Sequence, residues 1–168
     1  MADTRVELAR QHIQFAREYT LSLLEDIDDV QWFWQPPGRI THVAWQVGHL
    51  AMAQYGLCLF RMRGRQPEDM ELMSSVFRKK FSKGTTPDPD PAGNPSPAEI
   101  REVLHGVHRR AMEELPTYND AVLGEPVDMP YAVSPTKLGS LYFCAMHEMM
   151  HAGQLGLLRR LMGKSTMR

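Results

Sequence analysis

Two histidines four positions apart stand in the string His147-Glu148-Met149-Met150-His151. On a helix, residues i and i+4 lie one above the other on the same face, so two imidazoles at this spacing reach one metal ion. The string also matches His-Glu-x-x-His, in which two histidines hold zinc and the glutamate is the general base of a metallopeptidase. Such a peptidase takes a third protein ligand, usually from downstream. Residues 152–168 contain no Asp, Glu, His or Cys, so the third ligand must come from upstream, against the peptidase pattern. His49, in Trp45-Gln46-Val47-Gly48-His49-Leu50, is the upstream candidate. Its apolar neighbours place it near a buried face, and Gly48 lets another backbone or a ligand approach closely. Three protein ligands leave coordination positions open, the pattern of a catalytic rather than a structural site. The plainer reading stands beside this one. Lone helical histidines are more often hydrogen-bonded core or surface residues than ligands, and exposed i, i+4 pairs are common.

Other residues lie within reach of this chemistry. Gln154 follows His147 by seven and His151 by three, so it shares their face and can orient a ligand imidazole. It can equally make an ordinary interhelical hydrogen bond. Cys144 lies on the same stripe and can offer a fourth ligand as a thiolate, although a small core residue is the simpler reading. Glu148 points about 100° away from His147 around the helix. A base or an outer partner of the metal is one role for it, and a solvated or salt-bridged carboxylate is the other. His42 reads as a cap-region residue near the pocket mouth, and His12, His105 and His108 as surface or packing residues. Trp32, Trp34 and Trp45 gather near the start of the His49 helix, where they anchor a loop or line a pocket.

Four long helices must position these groups. The first runs from about Thr4 to Ile27, with Val6, Ala9, Ile13, Ala16, Leu23, Leu24 and Ile27 as its apolar stripe. The second runs from about Thr41 to Met62 and closes at Gly64. The third starts at a capping box, Ser96-Pro97-x-Glu99, and carries Ile100, Val103, Leu104, Val107, Ala111 and Leu115. The fourth runs from about Thr136 to Met162, with Gly163 after it. Between the second and third lies a long irregular connection. Leu72 to Phe81 forms at most a short helix there, and the proline-rich stretch 87–95 excludes helix and central strand. No strong period-2 strand and no internal repeat is visible. The expected fold is all-α, a four-helix bundle in one domain spanning 1–168.

Composition narrows the function. Lys and Arg number 19 against 20 Asp and Glu, for a net charge of −1. That balance gives no reason to expect nucleic acid or an anionic membrane surface as partner. No run of about 18 apolar residues suggests a membrane span. Two cysteines are too few for a disulfide framework, and the opening residues lack a leader-like apolar stretch, so the expected setting is cytoplasmic.

Trp45-x-x-Gly48-His49-Leu50, followed far downstream by His147-x-x-x-His151-x-Gly153-Gln154, resembles the DinB-like (DinB/YfiT) superfamily of helical bundles. The likeness runs in order along the whole chain. It implies a four-helix bundle with His49, His147 and His151 as ligands of one divalent metal, often zinc, nickel or iron. It also implies frequent homodimers, and a small-molecule substrate such as the low-molecular-weight thiol used by S-transferases and isomerases of the group. The first functional expectation is therefore a metal-dependent thiol S-transferase or hydrolase. The second is a non-enzymatic, stress-related metal-binding protein, which a fourth protein ligand such as Cys144 favours. A zinc peptidase comes last. Because ligand imidazoles must be neutral, metal binding is expected to weaken as pH falls through about 6.

Overall fold

A computed structural model describes residues 4–38, 40–128 and 132–166. Helix α1 spans Thr4–Leu24. Helix α2 spans Val43–Gln54 and continues through a π-helical turn, Tyr55–Phe60, into a last turn at Arg61–Arg63. Short helices α3 (Asp69–Leu72) and α4 (Ser75–Lys80) follow. Then come α5 (Pro97–Glu114), a short α6 (Asp120–Gly124) and α7 (Lys137–Leu161). The described residues contain no strand, only an isolated bridge between Pro126 and Thr136. The chain is all-helical, but the expected count of four is too low. The long connection holds the expected short helix, α4, which Ser74 Oγ caps by accepting from the Phe77 N–H. The additional elements are α3 in that connection and α6 in the loop before α7, the latter capped by Asn119, which accepts from the Val122 N–H.

The long helices form where the apolar stripes demand it. Ser96 and Glu99 make the reciprocal capping box at the start of α5, and Ile100, Leu104, Val107, Ala111 and Leu115 are fully buried. Thr136 caps α7 by accepting from the Gly139 N–H, and Gly163 leaves that helix at a φ of 81°. Helix α1 lies along α7, and α2 lies between α5 and α7. Helix α1 stops at Leu24, short of Ile27, although Ile27 is buried all the same. Trp32 is fully buried and its carbonyl accepts from the Ala44 N–H at 3.0 Å, which fixes the entry to α2.

One charged residue lies at the centre. Arg17, on α1, is 1% exposed. Its Nε and Nη2 donate to the two carboxylate oxygens of Glu148 on α7, at 2.7 and 3.1 Å. Nη1 donates to the Leu104 carbonyl of α5 at 3.0 Å, and Nη2 to Gln54 Oε1 of α2 at 2.9 Å. A single guanidinium thus ties the four long helices. The network continues outward: Gln54 Nε2 donates to His108 Nδ1, and His108 Nε2–H donates to Gln14 Oε1 at 2.9 Å. Burial and the Arg17 charge hold His108 at a pKa of about 3, a neutral imidazole that both accepts and donates. Among the described residues, no helix is long and apolar enough to cross a membrane.

Candidate metal centre

Helix α7 carries His147 and His151 one turn apart, with their ring centroids 4.6 Å apart. Helix α2 brings His49 across to them, at centroid distances of 5.3 Å from His147 and 4.8 Å from His151. One nitrogen from each ring lies within 4.8 Å of the others. The Nε2 atoms of His147 and His151 are 3.2 Å apart. Two nitrogens bound at about 2.0–2.1 Å to one tetrahedral ion stand roughly 3.3 Å apart. The α7 pair therefore has the spacing of two ligands on one ion, and the His49 nitrogen lies close enough to join them.

The protein also sets which nitrogen each ring offers. His49 Nδ1–H donates to the Phe81 carbonyl at 2.8 Å. A carbonyl can only accept, so His49 keeps its Nε2 lone pair free for the cluster. His151 Nδ1–H donates to Gln46 Oε1. Gln46 itself is anchored, because its Nε2 donates to Gln154 Oε1 at 2.7 Å and to Thr41 Oγ1 at 2.9 Å. Outer hydrogen bonds of this kind orient metal-binding imidazoles and fix their tautomer.

The segment after α4 forms one wall. His42, Trp45 and His49 occupy one stripe of α2 and its cap. They bond in turn to the Asp88 carbonyl, Thr85 Oγ1 and the Phe81 carbonyl, at 2.9, 3.0 and 2.8 Å. Residues 81–88 therefore run antiparallel along α2. A Cβ on Gly48 would stand 2.6 Å from the Phe81 ring, so the close approach expected at this glycine is made by Phe81. The Trp45 ring stacks on His49 at 4.8 Å with an interplanar angle of 7°. His42 is the N-cap residue of α2, as expected, but it is fully buried rather than at a mouth.

The remaining candidates fall elsewhere. Glu148 is buried against Arg17, on the side of α7 turned from the imidazoles, so it stands outside the cluster. Cys144 also lies outside it: the only group of three or more metal-binding side chains among the described residues is the three histidines. Both cysteines are free thiols; a hydrogen bond between Cys144 and Cys58, together with burial, raises the Cys144 pKa well above the usual thiol range. Gln154 reaches the site through Gln46 rather than by touching an imidazole. Trp34 is exposed. Sequence reasoning missed Gln46, whose only signal is a polar residue within a buried run, and the Phe81 carbonyl, which leaves no signal at all.

Burial is the main influence on the three rings. It lowers the pKa of His49, and with help from the neighbouring imidazoles takes His147 to about 4 and His151 to about 3. All three are neutral at pH 7, the form a metal ligand requires. The ordinary histidine value, which sets the competition near pH 6, therefore does not apply. A folded-state pKa that is lowered delays protonation, so protons compete for the three ligands at a lower pH than the usual value of about 6. Equilibrium dialysis is expected to show metal retained at pH 5.5 and released only below it; half-release near 6 contradicts the buried, neutral cluster. The metal-free protein should also lose stability below about pH 6.5, because its unfolded chain then takes up protons that the fold refuses.

A search of curated proteins gives no match to this chain. The family model described as the DinB superfamily matches residues 12–155, a span that includes α2, α5, most of α7 and all three clustered histidines. The chain belongs to the DinB superfamily.

Proposed function

We propose that this protein binds one divalent metal ion through His49, His147 and His151, and that it is a metal-dependent enzyme acting on a small molecule. The observation that carries the reading is the convergence of three neutral imidazoles, two of them locked by protein acceptors so that Nε2 faces the cluster. Imidazole donors suit zinc, nickel or iron. When bound, the ion supplies Lewis acidity that lowers the pKa of a thiol or water reaching it. Three protein donors leave room for such a group. His147 is the least buried of the three, so the approach is from its side. The Phe143 ring lies 5.6 Å from that of His147, and Met146 and Met150 are exposed on the same helix. This apolar rim suits the carbon skeleton of a low-molecular-weight thiol and supports a thiol S-transferase over a hydrolase. Cytoplasmic residence accords with the use of such a thiol. Nothing in the site's chemistry calls for nucleic acid or a membrane.

A homodimer belongs to the same reading. Leu157 and Leu161, one turn apart near the end of α7 and away from the rim of the site, are exposed apolar residues that a second copy can cover. We also read the long helices α1, α2, α5 and α7 as the frame of a four-helix bundle. Size-exclusion chromatography of untagged protein, with light scattering and metal analysis on one peak, tests metal and assembly together. The expected result is one ion per chain at twice the 19.2 kDa chain mass. Adding a small thiol to the cobalt-loaded protein should then change its visible spectrum. A spectrum indifferent to thiol rules out the transferase reading.

A further inference from the structure

We infer that Gln46 is a positioning residue of the metal site, one whose neutral amide holds His151 with Nε2 toward the ion and limits how tightly the ion is held. The inference rests on the metal-binding reading and deepens it. Gln46 is 1% exposed and every polar atom of its side chain is engaged. Its Nε2 gives hydrogens to Thr41 Oγ1 at 2.9 Å and to Gln154 Oε1 at 2.7 Å. With both hydrogens committed, its oxygen is what faces His151, so the His151 proton lies on Nδ1. Helix α2 therefore supplies one ligand, His49, and the support of another. Gln46 and His49 are three residues apart, a spacing that puts both on the side of α2 turned to α7.

Charge makes this position a tuning point. Metal-binding histidines commonly donate their second N–H to a carboxylate, a backbone carbonyl or water, and a carboxylate makes the imidazole a stronger donor. Here the two visible acceptors, the Phe81 carbonyl and the Gln46 amide, are both uncharged. Neither strengthens its imidazole as a carboxylate would, and more of the ion's charge is left for whatever occupies the open positions. Replacing the amide by a carboxylate of the same shape keeps the acceptor and adds the charge. Gln154 can turn its amide over to donate to the new oxygen. Replacing it by methionine keeps the bulk and removes the acceptor.

The test is zinc affinity, measured by competition with a chromophoric chelator, for wild type, Gln46→Glu and Gln46→Met. Urea unfolding of each metal-free protein runs in parallel. Gln46→Glu is expected to bind zinc roughly tenfold more tightly, and Gln46→Met about 10–100-fold more weakly. Neither substitution should stabilise the metal-free fold, because Gln46→Met leaves Thr41 and Gln154 without their donor and Gln46→Glu buries a charge that Gln154 must turn over to meet. Opposite shifts in affinity, without matching shifts in stability, distinguish positioning of the ligand from general packing. Affinity that falls in both variants in step with stability overturns the inference, as does affinity unchanged in both. Wild type that takes up no zinc sinks the metal-binding reading, and this inference with it. Wild type that binds zinc with variants that match it sinks this inference alone.

Discussion

His49→Ala is expected to cost as much metal affinity as His151→Ala, although His49 lies on a different helix and outside the His-x-x-x-His motif. Both rings contribute one nitrogen to the same cluster, and both are held by a buried hydrogen bond on the far side of the ring. Loss of an outer partner alone typically costs about 10–100-fold in metal affinity, so loss of a ligand should cost at least about 100-fold, or roughly 2.7 kcal/mol. Metal that binds only the folded state raises the melting temperature according to its excess over Kd, and that rise should largely vanish in both variants. His105→Ala is the matched control, since His105 is exposed on α5. Isothermal titration of the three variants decides the matter. A His49→Ala protein that keeps its affinity would leave the α7 pair as a two-ligand surface feature.

Glu148→Ala is expected to be the most destabilising single substitution in the His147–His151 segment. Arg17 and Glu148 are 1% and 2% exposed, so solvent does little to screen the charge left behind. Breaking a buried ion pair from one side costs about 3–5 kcal/mol, a large share of the roughly 5–15 kcal/mol by which domains are stable. The Arg17 bonds to Leu104 and Gln54 would remain, but without a counter-charge. Denaturant unfolding should show the loss, and Arg17→Met combined with Glu148→Leu should recover much of it. Zinc affinity of the folded Glu148→Ala protein should change little, because the carboxylate faces Arg17. A peptidase general base would behave in the opposite way, with stability kept and a metal-dependent cleavage lost.

These contrasting roles for neighbours on one helix show what the sequence could and could not carry. Helix periodicity placed His147 and His151 on one face and turned Glu148 away from them. The capping box at Ser96 fixed where α5 begins, because a cap is a local interaction between residues three apart, and the start expected near Thr136 for α7 coincides with the cap found there. Arg17 was illegible for the opposite reason. It falls outside the apolar stripe read along α1, beside Ala16, and only the meeting of four helices gives it partners. The Phe81 carbonyl is a backbone atom and has no residue type to recognise. The π-helical turn at Tyr55–Phe60 adds a residue to one helical turn, which no spacing rule anticipates. The meeting of His49 with the α7 pair was open to inference because residues 152–168 offer no third ligand, and the match of the whole chain to a known pattern strengthened a placement that nothing within α2 alone could give.

X-ray absorption at the edge of the metal carried by purified, untagged protein tests the three-histidine centre most directly, because it reads the donor atoms around the ion. The expected spectrum has multiple scattering from three imidazoles, nitrogen donors at about 2.0–2.1 Å, and no sulfur from the chain, since Cys144 is turned into the core against Cys58. Sulfur at about 2.3 Å in protein free of added thiol, or scattering from two imidazoles only, would contradict a centre built from His49, His147 and His151.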